Sequence, residues 1–402
     1  MTEILAVIAL YMLAMLYIGY RAKKSVKTSA DFFIGGNRFG SVITAIAHQA
    51  AGLSGWLFIA WSQQVAGSGL GAIWTAFSSG FAPFINFFVM ARRTAKFTVM
   101  TKARSFIDLI EARYYDTDRK VLRIISTVII AISITVYMSS QLMAAGTTFQ
   151  AVLGLGYMGQ PQIVQMFMGM KDPGSSRRGA VIAGTTGVFL LFGSFFVNLC
   201  CMVLFPDSAD TSANFILLIT EYTPSWLVGI VTAAILAAVL SSADALLHVA
   251  TTAVTQDFYN KILKKGQATD KQVLVVARVA AVVIGVIAIY LAYNPFDSIL
   301  WVNWWAWGGL SVFAPILILG FYWKRATREG AMVSMIVGFI AVYVWYQLGL
   351  NTWCHYTLVA FVVTGVVHVA VSLVTKAPPA YVQEMVDELN RKDTAGKGKA
   401  HA

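Results

Sequence analysis

The stretch AAILAAVLSSADALLH, residues 233–248, decides how this sequence is interpreted. It lies within an apolar run from 224 to 251, which is long enough for an α-helix to cross the hydrocarbon core of a bilayer. Nine other runs of similar character cover residues 3–20, 41–66, 69–91, 122–146, 179–205, 273–293, 299–322, 330–349 and 353–375. The sequence therefore predicts an all-α polytopic membrane protein with ten full spans.

Composition supports this interpretation. The 402 residues are 58% hydrophobic and 12% charged, and soluble domains carry roughly twice that charged fraction. The net charge of +11 does not indicate nucleic-acid binding, because the basic residues form short clusters between apolar runs. The three cysteines lie in or beside apolar segments without metal-ligand spacing, and we interpret them as packing residues.

The Lys and Arg clusters set the expected orientation, because cytoplasmic loops are enriched in these residues. If the N-terminus is outside and the C-terminus is cytoplasmic, all 30 Lys and Arg fall on or beside the cytoplasmic side. This assignment requires the Gly-rich segment 148–170 to cross as a short remnant span. We expect a multi-pass protein of the inner (plasma) membrane.

The chain divides into a transmembrane transporter domain, residues 1–376, and a cytoplasmic tail, residues 377–402. The longest cytoplasmic loop, 92–120, is basic and amphipathic, and its SFIDLIEARYY portion is expected to form a helix at the membrane interface. The tail is expected to be helical over AYVQEMVDELNRK, residues 380–392, and disordered beyond it.

Two segments offer oxygen ligands for a cation within the membrane. The run HQAAGLSGWLF, residues 48–58, concentrates small residues at mid-span, where an unwound helix would free the carbonyls of Ala50 and Leu53. The alternative for this run is close helix packing through small residues. The run 233–248 is expected to place six residues along one helical face: Ala238, Ser241, Ser242, Asp244, Ala245 and His248. The first three would supply a carbonyl and two hydroxyls.

Each of these serines has an alternative interpretation, since membrane serines commonly bond to the carbonyl four residues earlier. Asp244 is the only acidic residue well inside a predicted span, and a carboxylate there is costly enough to imply a role. It is a possible additional ion or coupling residue. Its structural alternative is a pair with His248 or a serine.

Several motifs together resemble the sodium:solute symporter family, and most closely its sodium/proline branch. They include DFFIGGNRFG at 31–40, SGWLF at 54–58, LIEARYYD at 109–116, GQPQIVQMFM at 159–168 and TQDFYNKIL at 255–263. The resemblance implies an inverted-repeat (5+5) sodium symporter fold. It also implies Na⁺ as the coupling ion, a small-molecule solute such as proline, and no obligate protein partner.

Carried over residue by residue, the resemblance assigns two sets of ligands. The sodium ligands would be the carbonyls of Ala50, Leu53 and Ala238 and the hydroxyls of Ser241 and Ser242, which agrees with the oxygen cage argued above. The substrate cavity would involve Ser54, Gly55, Trp56, Tyr137, Tyr157, Gln160 and Pro161.

This chain departs from the family in three places. Gly52 stands where the proline branch has an aspartate, so either the ion is held without that carboxylate or Asp244 supplies the charge from the facing helix. Leu153 stands where the branch has a pocket tryptophan. Two helices and half of a third are absent near residues 155–158, a deletion of roughly 80–100 residues.

The function that follows is sodium-coupled symport of a small organic solute, with proline as the expected solute. The alternatives are sodium-coupled uptake of another amino or carboxylic acid, and a non-transporting truncated relative or solute sensor. We do not expect an enzyme, because the sequence shows no nucleophile–base pair, metal cluster or phosphate loop.

Overall fold

A computed structural model describes residues 2–23, 39–153, 176–208, 211–350 and 354–391. Within these ranges the chain is built from helices. In chain order they are α1 (Thr2–Lys23), α2 (Ser41–Leu53), α3 (Ala60–Ser68), α4 (Ile73–Asn86), α5 (Arg92–Thr101), α6 (Phe106–Arg113), α7 (Val121–Leu153), α8 (Ser176–Leu204), α9 (Asn214–Tyr222), α10 (Ser225–Thr252), α11 (Asp270–Tyr293), α12 (Ile299–Ser311), α13 (Phe313–Tyr322), α14 (Arg328–Gln347), α15 (Tyr356–Val374) and α16 (Ala380–Asn390). The predicted all-α membrane architecture is confirmed.

Nine helical stretches in these ranges are long and apolar enough to cross a membrane. They correspond to nine of the ten predicted spans. The exception is the predicted span 41–66, which is a broken helix made of α2 and α3. The chain turns after α3 at Gly69, whose φ of +52° lies in the left-handed region that glycine adopts without steric cost. The predicted remnant span 148–170 lies mostly outside the described residues, since the description of α7 ends at Leu153.

Glycines set the spacing between α8 and its neighbours α2 and α4. A Cβ atom at Gly184 would lie 2.1 Å from the ring of Phe84, and one at Gly187 would lie 2.5 Å from Nε2 of Gln49. Such distances leave no room for a side chain. The small residues of α8 therefore allow the backbones to approach closely, which is how membrane helices gain packing energy.

The predicted loop 92–120 is more ordered and more buried than expected. Its first ten residues form α5, which continues the apolar helical stretch that begins at Ala60. Helix α6 forms as predicted, and the Ser105 hydroxyl caps it by accepting from the Asp108 amide. However, Ile107, Leu109 and Ile110 are all buried. The helix packs with these side chains against α7 and α13.

Arg123 is the centre of an ion-pair cluster between α6, α7 and the helical segment Ala253–Leu263, which continues α10. Its side chain is completely buried and pairs with Asp108 at 2.7 Å, and with Glu111 and Asp257. Burial alone would raise the pKa of Asp108, but the charges of Lys261 and Arg123 together hold that pKa below its ordinary value. The cluster fixes the C-terminal end of α10.

The predicted tail helix is present as α16. Val382, Val386 and Leu389 are buried against the bundle. The Asn390 side-chain amide donates to the Phe321 carbonyl at 2.8 Å. The tail therefore docks on the ends of the spanning helices.

Candidate functional site

The break between α2 and α3 is the principal irregularity of the bundle. Helix α2 ends at Leu53, Ser54 has φ +55° and ψ −167°, and a short 3₁₀ turn covers Gly55–Leu57. A positive φ is uncommon for a residue other than glycine. The last four carbonyls of a helix have no partner within it, and in α2 these carbonyls belong to residues 50–53. The break thus frees the carbonyls of Ala50 and Leu53.

Helix α10 presents Ser242 to this break. The Ser242 hydroxyl, which is fully buried, lies 2.9 Å from the Ala50 carbonyl and 3.0 Å from the Ala238 carbonyl. The Ser241 hydroxyl lies 3.1 Å from the same Ala238 carbonyl, and its side chain is exposed. Four of the five predicted sodium ligands therefore lie in one group of oxygens, and Leu53 ends the helix three residues after Ala50.

Both interpretations of the serines are present in the geometry. Ser242 bonds to the carbonyl four residues earlier and Ser241 to the one three residues earlier, as membrane serines commonly do. Only Ser242 also reaches across to α2. This contact between two helices distinguishes it from a serine that satisfies its own helix.

A cleft of about 280 Å³ opens beside these oxygens. Gln49, Ala50, Ser54 and Ala238 contribute to its wall, together with apolar side chains such as Phe58. The Nε2 atom of Gln49 is buried and finds no hydrogen-bond partner among the described residues. The cleft has room for a small solute next to the freed carbonyls.

Three of the predicted substrate residues are buried together beside the break between α2 and α3. Ser54, Trp56 and Tyr137 are each at least 97% buried. The Trp56 amide donates to the Ser54 hydroxyl at 3.1 Å, and the Tyr137 hydroxyl is hydrogen-bonded to Ser54. Gly55 belongs to the 3₁₀ turn between Ser54 and Trp56.

The remaining predicted residues do not join this group. Tyr157, Gln160 and Pro161 lie outside the described residues. Asp244 is exposed on α10, where it makes no ion pair with any other residue that the structure describes.

Three further residues in this pocket were not predicted from the sequence. Gln141 lies 3.5 Å from the Ser54 hydroxyl and donates to Asn303 at 3.0 Å. The Trp307 ring centroid lies 5.8 Å from those of both Trp56 and Tyr137. A signal was available, because an asparagine or glutamine inside a span is costly unless it is paired.

A bundle of membrane-spanning helices built around one discontinuous helix is the architecture of secondary transporters. The profile of the Sodium:solute symporter family matches residues 32–158 and 147–338. The chain belongs to the sodium:solute symporter family, whose coupling ion is Na⁺.

Relatives extend over nearly the whole chain. The osmoregulated proline transporter OpuE of Bacillus subtilis is 25% identical over an alignment that covers 94% of this chain and 96% of the relative. The sodium/proline symporter of Escherichia coli is 26% identical, with 96% of each chain covered. A Na⁺-coupled sialic acid symporter, solved in a substrate-bound outward-open state, superposes with a TM-score of 0.69 over 93% of this chain and 98% of its own. At 16% identity this last similarity shows the fold alone.

The comparisons also bear on the length of the chain. The alignment with the Bacillus subtilis relative extends over 472 positions, and this chain has 402 residues. The relative therefore has at least 70 residues without a counterpart here. The two segments that match the family profile overlap at residues 147–158, next to the predicted deletion.

Proposed function

We propose that this protein binds Na⁺ between the broken helix and α10 and couples it to the transport of proline or a closely related solute across the inner membrane. The proposed ion ligands are the carbonyls of Ala50, Leu53 and Ala238 and the hydroxyls of Ser241 and Ser242. The proposed solute contacts are Ser54, Gly55, Trp56, Tyr137, Tyr157, Gln160 and Pro161.

The observation that carries the ion site is the position of the Ser242 hydroxyl, 2.9 Å from Ala50 on one helix and 3.0 Å from Ala238 on its own. Three oxygens from two helices are thus grouped in one place. An ion at this place would tie the two helices together, so its binding would favour the state in which they are close. Coupling of Na⁺ binding to solute transport requires such a difference in Na⁺ affinity between two conformations.

Proline is the proposed solute because curated relatives that cover nearly the whole chain are named as proline transporters. At about 25% identity, and with Gly52 and Leu153 where the proline branch has an aspartate and a tryptophan, another amino or carboxylic acid is the alternative. Asp244 is proposed as the substitute charge for the missing aspartate. Its contribution is testable through Asp244→Asn, which should weaken Na⁺ dependence.

Counterflow in proteoliposomes tests the solute. Vesicles loaded with unlabelled proline should accumulate labelled proline only when Na⁺ is present, and K⁺ should not replace it. A panel of other amino acids and carboxylic acids identifies an alternative solute by competition. Accumulation of proline at the same rate with and without Na⁺ would contradict the proposal.

A second candidate function is binding of ion and solute with poor transport. Two observations favour it. The Bacillus subtilis relative has at least 70 residues without a counterpart in this chain, and Ser241 and Asp244 are exposed within a membrane-spanning helix. An exposed carboxylate is costly in lipid, and additional helices would cover it. Inserting the corresponding segment of the Escherichia coli relative at residues 155–158 should then raise uptake. Robust uptake by the 402-residue chain, unchanged by the insertion, would exclude this candidate.

A further inference from the structure

The Asn303 amide is hydrogen-bonded to α7. Its Oδ1 atom accepts from the Gln141 amide at 3.0 Å and lies 3.1 Å from the Ser140 hydroxyl, whose shorter contact is to the Tyr137 carbonyl at 2.7 Å. With the oxygen on this side, the two N–H donors on Nδ2 point away from Gln141. In the described part of the chain Nδ2 has no acceptor, although Asn303 is completely buried.

A second donor without an acceptor belongs to the same pocket. The indole Nε1 of Trp56 is buried and has no hydrogen-bond partner among the described residues. Trp56 is connected to Asn303 through the ring of Trp307, which stands one helical turn after Asn303 on α12. It is also connected through Ser54, which lies 3.5 Å from Gln141.

Two buried N–H donors without acceptors are energetically costly, because each gives up its hydrogen bonds to water on burial and forms none within the protein. Such groups recur where a ligand supplies the missing acceptor. The pocket contains donors fixed in place and an aromatic wall of Trp56, Tyr137 and Trp307. Within the described residues, no lysine or arginine makes an ion pair or hydrogen bond to these side chains.

We propose that Asn303 Nδ2 and Trp56 Nε1 bind the carboxylate of an amino-acid solute, while the aromatic wall contacts its apolar part. This inference rests on the proposed symport function and identifies the chemical group by which the solute is recognised. Ser54, next to Leu53 at the break, places the carboxylate end of the pocket beside the proposed cation site. A bound Na⁺ would therefore offset the negative charge that enters with the solute.

Two substitutions isolate the donors with little change of shape. Asn303→Asp keeps an oxygen for Ser140 and Gln141 but replaces the two N–H donors with a second acceptor. Trp56→Phe removes the indole N–H and keeps an aromatic ring. Asn214→Ala, at a buried asparagine of α9 outside this pocket, is the matched control.

The readout is binding of L-proline and of pyrrolidine, its counterpart without the carboxylate, to the purified full chain in Na⁺. The same pairs are measured for other amino acids and their decarboxylated amines. The unchanged protein should prefer the carboxylate-bearing member. Asn303→Asp should reduce that preference roughly tenfold to a hundredfold, Trp56→Phe less so, and Asn214→Ala not at all. A change in the preference is not expected from a general loss of packing, which would weaken both ligands together.

The outcomes separate the two proposals. If the unchanged protein binds no amino acid of the panel, the proposed function fails and this inference fails with it. If it binds an amino acid and Asn303→Asp retains the full preference for the carboxylate, only this inference is overturned. If Na⁺ binding to Asn303→Asp is normal and the preference is lost, the inference is supported.

Discussion

Replacing Ser242 with alanine tests the ion site most sharply among single substitutions. The Ser242 hydroxyl is fully buried and bonds to Ala50 and Ala238 at 2.9 and 3.0 Å. Removing a neutral hydrogen bond costs about 1 kcal/mol of stability, whereas removing a contact to a charged group costs about 1.5–3 kcal/mol. We therefore expect Na⁺ affinity to fall about 10- to 100-fold while the protein still folds.

The assay is equilibrium binding of radioactive Na⁺ to the purified protein, with thermal unfolding measured on the same samples. Ser334→Ala is the matched control, because Ser334 is also fully buried and bonds within its own helix, to Ala331 at 3.2 Å. The control should lose stability without losing Na⁺ affinity. The combined change of Ser241 and Ser242 to alanine should abolish Na⁺-dependent uptake. Equal Na⁺ affinity in Ser242→Ala and Ser334→Ala would refute the reasoning.

The remaining predictions concern the packing that holds the site in place. Arg123→Gln removes the cation shared by three carboxylates and should lower the free energy of unfolding by about 3–5 kcal/mol. Arg391→Gln, at an exposed position, should leave the free energy of unfolding unchanged. Equal unfolding midpoints of the two variants would contradict this prediction. Because the folded-state pKa of Asp108 is lowered, its charge contributes stability above its ordinary pKa, and that contribution is lost as the pH falls through the lowered value. The difference in unfolding midpoint between the unchanged protein and Asp108→Asn should therefore shrink as the pH falls below the ordinary pKa of aspartate; a difference that does not change with pH would count against it. Gly187→Leu should force α8 away from Gln49 and destabilise the fold by about 1–3 kcal/mol, measured by thermal unfolding against Gly285→Leu, where space is open. If Gly187→Leu and Gly285→Leu lower the free energy of unfolding by similar amounts, close packing at Gly187 does not explain the loss.

The membrane spans could be predicted from the sequence because bilayer thickness fixes the length of an apolar helix. Nine predicted spans correspond to helical stretches that are long and apolar enough to cross a membrane. The tenth, 41–66, is interrupted at Ser54; its small residues were consistent with either a loosened stretch or close helix packing, and the structure contains the loosened stretch. Composition could locate the break but not its geometry, because a positive φ at a serine depends on tertiary contacts.

Helix α6 is more buried against the protein than its sequence indicates, and its position at the membrane interface stays a prediction. Its apolar residues are consistent with a membrane surface and with a protein surface. Asp108 and Glu111 fix the side that faces the protein, since both pair with the buried Arg123. That partner is in the following helix, and local amphipathicity does not reveal it.

The two sides of the candidate site differed in how far the sequence could define them. Ser241 and Ser242 could be selected because Asp244 and the family resemblance mark their run. Adjacent serines alone would not have sufficed, since Ser139 and Ser140 also lie in a predicted span. Asn303 and Trp307 could not be assigned to the pocket, because only the packing of α12 against α7 brings them to Tyr137 and Gln141. Residues that belong to a distinctive sequence run could be predicted, whereas residues that join the site only through packing against another helix could not.

The most direct measurement is an experimental density map of the protein prepared in Na⁺, compared with one prepared in K⁺. We predict density for an ion between α2 and α10 in Na⁺ alone, in direct contact with the Ala50 and Leu53 carbonyls and the Ser242 hydroxyl. The chain should leave the helical path at Ser54 in both maps. A continuous helix from 41 to 68, with no ion density and both serine hydroxyls facing lipid, would contradict the account.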